Sequence, residues 1–210
     1  MANLRQLQKK ATRKRLLEAA LEQFERNGYV ATTIDDIAAE AGTTRVTFYS
    51  YFESRQDLMR ALIGEMNEIL ERHEQPGRGS TTKTLVDAIA DGSTESIRAW
   101  LLRQSGRWPR IRQYILSATE ASAVDPEIRV VFNAWMEEVI IDITEGLDIA
   151  DRFDPATRHH RAEFAFTALD HTAISWMREG WESTAEHPKF LVLVEVWAKM
   201  VGAAGACDHP

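Results

Sequence analysis

An all-α fold is predicted by three observations. Apolar residues recur at three- and four-residue intervals over long stretches. Ser, Thr, Asp and His caps, some of the last two followed directly by Pro, punctuate those stretches. No run alternates apolar and polar side chains in the manner of a half-buried strand. Together they predict nine or ten helices in 210 residues, with a three-helix N-terminal domain ahead of a larger C-terminal helical domain.

The first helix is placed from about Gln8 to Asn27, with Leu16, Leu17, Ala20, Leu21 and Phe24 as its buried stripe and Gly28 as its stop. Thr33 caps the second, and Asp36 completes a T-x-x-D capping box, with Asp35 also at the positive end of the helix dipole. Ile34, Ile37, Ala38 and Ala41 form its apolar face, where Ala38 is small enough for a close helix crossing. Gly42 suits the left-handed residue that ends such a helix. Thr44 then caps a helix over 45–52, in which Phe48 and Phe52 point inward at i and i+4. That leaves Arg45, Thr47, Tyr49, Ser50 and Tyr51 outward, all side chains able to bond phosphates or base edges. Ser54 with Asp57 forms a second box and opens a long helix to about Glu74. Two short helices across a tight turn, presenting a polar outer face, are the form of a helix-turn-helix.

The run Thr33-(x)3-Ile37-Ala38-(x)3-Gly42-(x)4-Thr47-Phe48-Tyr49-(x)2-Phe52-(x)5-Leu58 resembles the N-terminal domain of tetracycline-repressor (TetR-type) transcriptional regulators, over about residues 10–62. The resemblance implies phosphate contacts at Thr33, Tyr49 and Arg55. It implies base reading at Arg45 and Thr47, with Ser50 and Tyr51 beside them, and Thr44 joins this DNA-contact set at the cap. Thr43 departs from the usual aliphatic residue, Val46 from a small one, and Arg55 replaces a customary Lys. These departures bear on which operator is read and leave the fold as expected.

The net charge of −7 is unevenly spread. Residues 1–15 carry Arg5, Lys9, Lys10, Arg13, Lys14 and Arg15 without an acid, a local +6 against −13 for the rest. Screening over ~8–10 Å means that DNA would feel the local field. Two readings of this arm stay open: a solvated tail, or a contact to phosphates or the minor groove. A single cysteine, Cys207, leaves no disulfide framework or metal cluster, in keeping with a reducing cytoplasmic location. The basic start has no apolar run of a secretory signal, and no stretch is long enough to span a membrane.

Gln75 to Thr82 reads as a linker by composition. The expected division is therefore a DNA-binding domain over 1–53, a connecting helix over 54–74 and an effector-binding and dimerisation domain over 75–210. Beyond the linker, Asp91-Gly92-Ser93 separates two helices and Pro109 begins another, to about Ser122. Asp125-Pro126, Asp154-Pro155 and His187-Pro188 open helices to about Leu147, Glu179 and Met200. The last two carry more apolar surface than one core-facing stripe requires: Phe164, Phe166, Ala168, Ile174 and Met177, with Phe190, Leu193, Val194 and Trp197. The resemblance implies that these helices form a homodimer.

All six tryptophans lie after residue 99. With neighbouring Met and aromatic residues they suggest lining for a small apolar or aromatic effector: Trp100, Leu101, Tyr114, Phe132, Trp135, Met136, Phe166, Asp170 and Trp176, with His171 beside Asp170. Core packing is the competing role for each. His159 and Glu163 share a helix face, which is too few ligands for a metal site. Neither a phosphate-binding Gly-rich loop nor a G-x-S-x-G elbow occurs. The expectation is a homodimeric repressor of a two-fold operator in double-stranded DNA, released by an effector, with neither cofactor nor catalytic residues. A DNA-binding protein without an effector, and an all-α enzyme acting on an apolar substrate, are the alternatives.

Overall fold

The computed structural model describes residues 2–75 and 79–203. Cys207 and the centre of the expected linker lie outside them. Ten helices and one hairpin follow in order: α1 (Ala2–Ala31), α2 (Ile34–Glu40), α3 (Arg45–Tyr49), α4 (Arg55–Leu70), β1 (His73–Gln75), β2 (Gly79–Thr81), α5 (Lys83–Asp91), α6 (Thr94–Ser105), α7 (Trp108–Val124), α8 (Pro126–Ile149), α9 (Pro155–Glu179) and α10 (Pro188–Val201). They form two compact units, residues 1–66 with 111–133 and residues 67–110 with 134–210. The all-α fold class holds, with one exception.

That exception is the hairpin. β1 and β2 pair antiparallel, with His73 opposite Thr81 and Gln75 opposite Gly79. Three-residue strands are too short to show a period in the sequence, so the helix expected to run to Glu74 ends at Leu70 and part of the expected linker is ordered backbone. Side chains of the second unit hold it. Thr81 Oγ1 donates to Asp142 at 2.7 Å, and the Thr82 amide donates to the same carboxylate at 2.7 Å. Arg72, its side chain only 2% exposed, pairs with Glu138 at 2.8 Å and lies over the Trp135 ring at 4.8 Å.

The first unit is built around Leu16, Leu17, Phe24, Ile37, Phe48, Leu58 and Met59, all buried. α1 starts earlier than expected, so the basic arm is helical, and it is interrupted at Gly28, whose positive φ of 80° lies outside the helical region. In the second unit α9 packs on α10: Trp197 Nε1 donates to the Ala165 carbonyl at 2.8 Å, and Trp100 stacks on the Trp197 ring at 5.5 Å. This packing corrects the sequence argument for surplus apolar surface. Met177, Phe190, Leu193, Val194 and Trp197 are buried inside the unit, and the large apolar side chains left outward on these helices are Phe164, Leu191 and Val192.

Candidate DNA-contact surface

Local capping sets the geometry of α2 and α3. Thr33 Oγ1 accepts from the Asp36 amide while the Asp36 carboxylate accepts from the Thr33 amide at 2.9 Å, closing the expected box. Hydrogen bonds from the Thr33 side chain and then its amide hold the Asp36 carboxyl below the usual aspartate range. Gly42 turns the chain at φ 63°, and Thr44 caps α3 by accepting from the Thr47 amide at 3.2 Å. α3 is shorter than expected, ending at Tyr49, but Tyr51 and Phe52 still donate to the Phe48 carbonyl, so Phe52 stays buried beneath it.

The outward side chains then fall where the spacing placed them. Thr33, Thr44, Arg45, Tyr49 and Ser50 are exposed, and Thr47 and Tyr51 are half-buried. Arg45 reaches back across the turn to Asp35 at 2.8 Å and touches the Tyr49 hydroxyl at 3.4 Å. Its guanidinium pKa is raised, first by the Asp35 hydrogen bond and then by Tyr49. The capping pattern marks Asp35 only as a dipole partner of α2. The clue available in the sequence was an opposite charge ten positions away across the turn. An exposed pair of this kind is worth ~0–1 kcal/mol, so a stronger partner can displace it.

Arg55 is placed differently. Its Nη1 donates to the Tyr29 carbonyl at 2.7 Å and the Thr32 carbonyl at 2.6 Å, and the guanidinium lies over the Tyr29 ring at 4.1 Å. These contacts tie the start of α4 to the α1–α2 connection. The end of the guanidinium that faces the protein is spent inside the domain. Arg13 of α1 lies over the Phe52 ring at 5.2 Å.

The candidate effector residues separate between the units. Tyr114 and Phe132 belong to the first; Trp100, Leu101, Trp135, Met136, Phe166, Asp170 and Trp176 belong to the second. Leu101 is fully buried, and Trp135 is occupied by Arg72 and by Asn67, which accepts from its Nε1 at 2.7 Å. The indole N–H groups of Trp100 and Trp176 are buried without an acceptor among the described residues. Burial raises the Asp170 carboxyl pKa, with His171 opposing. His159 stands 3.9 Å from Glu163 on the surface, and the described residues contain no group of three or more His, Cys, Asp or Glu able to hold a metal. Nor is any described helix long and apolar enough to cross a membrane.

A capped two-helix unit with a polar, cation-bearing second helix defines a helix-turn-helix DNA-binding protein. Residues 16–62 match the model of the bacterial regulatory proteins of the tetR family. The chain is 34% identical over 110 residues to the uncharacterized HTH-type transcriptional regulator TtgW of Pseudomonas putida, covering 50% of this chain and 82% of TtgW. It is 35% identical over 78 residues to the HTH-type transcriptional regulator TtgR of the same species, covering 37% of this chain and 36% of TtgR, so that match spans about a third of the relative's length. The solved structure of a SmeT–triclosan complex has a similar fold, with a TM-score of 0.69 at 19% identity over 95% of this chain and 98% of that one. The chain belongs to the tetR family of bacterial regulatory proteins, a class of DNA-binding transcriptional regulators.

Proposed function

We propose that the chain is a homodimeric repressor that leaves a two-fold operator when a small molecule binds its second unit. The observation carrying this reading is the outward face of α3, where Arg45, Thr47, Tyr49 and Ser50 stand on a helix fixed by the Thr44 cap and the buried Phe48. Arg45 and Thr47 read base edges, with Arg45 leaving Asp35 for a guanine edge. Thr33, Thr44 and Tyr49 bond phosphates and fix the register. Arg55 serves by holding the α1–α2 connection against α4. Two copies of α3 about one DNA turn apart, ~34 Å, read the two half-sites. Phe164, Leu191 and Val192 are the exposed apolar residues of α9 and α10 that a second copy of the chain would cover.

The effector reading rests on the second unit. The indole donors of Trp100 and Trp176, buried without acceptors among the described residues, are the groups there to which a ligand bearing hydrogen-bond acceptors would bond. A similar fold that holds triclosan supports a small, largely aromatic molecule. The ligand shifts the DNA-bound state only by its different affinity for the two states. We read the chain as a regulator and not a catalyst. All six tryptophans belong to the second unit, so their fluorescence reports on ligand there while the anisotropy of labelled DNA reports on release. Quenching accompanied by release of the operator is expected for at least one member of a panel of acceptor-bearing aromatic compounds. A wide panel that neither quenches nor releases DNA would leave a regulator without an effector.

A further inference from the structure

The first fifteen residues place more positive charge on α1 than the helix-turn-helix itself uses. An open groove of about 660 Å³ runs along α1 and is lined by Arg5, Lys9 and Arg15, by uncharged donors that include Gln8 and Thr12, and by Tyr51. Among the described residues no carboxylate lines it. Three cations and several uncharged donors without an acid form a surface for an anion. Neighbouring cations of the arm are engaged elsewhere: Lys14 pairs with Glu18 at 3.2 Å, and Arg13 lies over Phe52. That second contact sets α1 beside the segment that follows α3, and Tyr51 of the same segment lines the groove.

We propose that Arg5, Lys9 and Arg15 with Tyr51 grip the phosphate backbone of duplex DNA, beside the contact made by α3. This rests on the DNA-binding reading and extends it to a second surface. Arg5 and Lys9 are one turn apart, ~6 Å, and Arg15 is ~15 Å from Arg5 along the axis. That reach exceeds a single phosphate, so the arm engages more than one backbone charge. Tyr51 lines the groove with these cations and adds its hydroxyl to the backbone contact. Leu4 and Leu7 are also exposed on α1, which makes an anionic lipid surface the occupant to test against.

The test measures binding of the full-length chain to labelled duplexes, one selected from genomic fragments and one of random sequence, across a salt series. Arg5→Ala/Lys9→Ala is expected to make the slope of log affinity against log salt less negative by about 1.8 per protomer, at ~0.9 per phosphate contact. Both duplexes should weaken alike, and Arg5→Lys/Lys9→Arg should retain the slope. Both positions are exposed, and an unchanged circular dichroism spectrum shows that α1 persists in the variant. An unchanged slope overturns the inference, as does a loss confined to one sequence. It is also overturned if the double variant loses binding to phosphatidylglycerol vesicles while keeping its DNA slope. A wild-type chain that binds no duplex overturns the DNA-binding reading as well, whereas wild-type binding with an unchanged variant slope overturns only the arm contact.

Discussion

Replacing Arg55 with Ala separates two roles that one side chain can play in a DNA-binding domain. The guanidinium donates to the carbonyls of Tyr29 and Thr32 at 2.7 and 2.6 Å and covers the Tyr29 ring at 4.1 Å. A hydrogen bond to a charged group contributes ~1.5–3 kcal/mol, and a cation over an aromatic face ~0.5–2 kcal/mol. These contacts share one half-buried guanidinium and are not additive, so the expected loss is about 2–4 kcal/mol and not the full sum. The assay must observe the first unit, which has no tryptophan. Amide hydrogen exchange serves, and a loss of ~2 kcal/mol speeds the slow amides of α1 and α2 by about 30-fold. Tryptophan fluorescence from the second unit should change far less. Lys at this position keeps the charge but offers a single head group in place of a planar fork, and is expected to restore only part of the protection. Protection within ~0.5 kcal/mol of wild type, combined with a uniform loss of DNA affinity, would show that Arg55 serves DNA phosphates and that its backbone contacts contribute little.

Other perturbations test the remaining assignments. Asp35→Asn releases Arg45 and removes an anion beside the DNA face, so operator affinity should rise about 2- to 5-fold, the equivalent of one exposed ion pair; unchanged or weaker binding would argue that Asp35 orients Arg45 productively. Glu138→Ala leaves the Arg72 guanidinium buried without its carboxylate and should cost about 2–3 kcal/mol in urea unfolding followed by tryptophan fluorescence, below the ~3–5 kcal/mol of a fully buried pair because Glu138 is partly exposed. Burial raises the Asp170 carboxyl above its usual 3.8, so the folded state holds that proton more tightly and stability falls as pH rises through the folded value. Asp170→Asn should accordingly be more stable than wild type at neutral pH and flatten the pH dependence above 3.8, as followed by thermal melts; a less stable variant would mean that the carboxylate has a partner in the fold.

What the chain shows without its tertiary structure is decided within four residues. The Thr33–Asp36 box, the Thr44 cap, the left-handed Gly42 and the caps at Asp154 and His187 each depend on contacts of that reach. The three Pro-initiated helices α8, α9 and α10 accordingly begin where the sequence placed them. The β1–β2 hairpin escaped because its strands are short and its fastenings, Ser80 and Arg72 to Glu138 and Thr81 to Asp142, span about sixty residues. The backbone contacts of Arg55 were invisible for the same reason, since their acceptors lie 23 and 26 residues back. The apolar excess of α9 and α10 was visible as composition, but burial assigned most of it to the interior.

The sequence by itself determined the helices, the starts of those that are capped and the outward chemistry of α3, because capping and 3.6-residue periodicity are local and need no partner. Only the tertiary structure decided which cations face outward and which are spent inside. Arg45 remained on the surface against Asp35, Arg55 turned inward to Tyr29 and Thr32, and Arg5, Lys9 and Arg15 lined a groove with Tyr51. A long charged side chain takes its role from whatever acceptor packing brings within ~3 Å, and one-dimensional spacing carries no record of that distance.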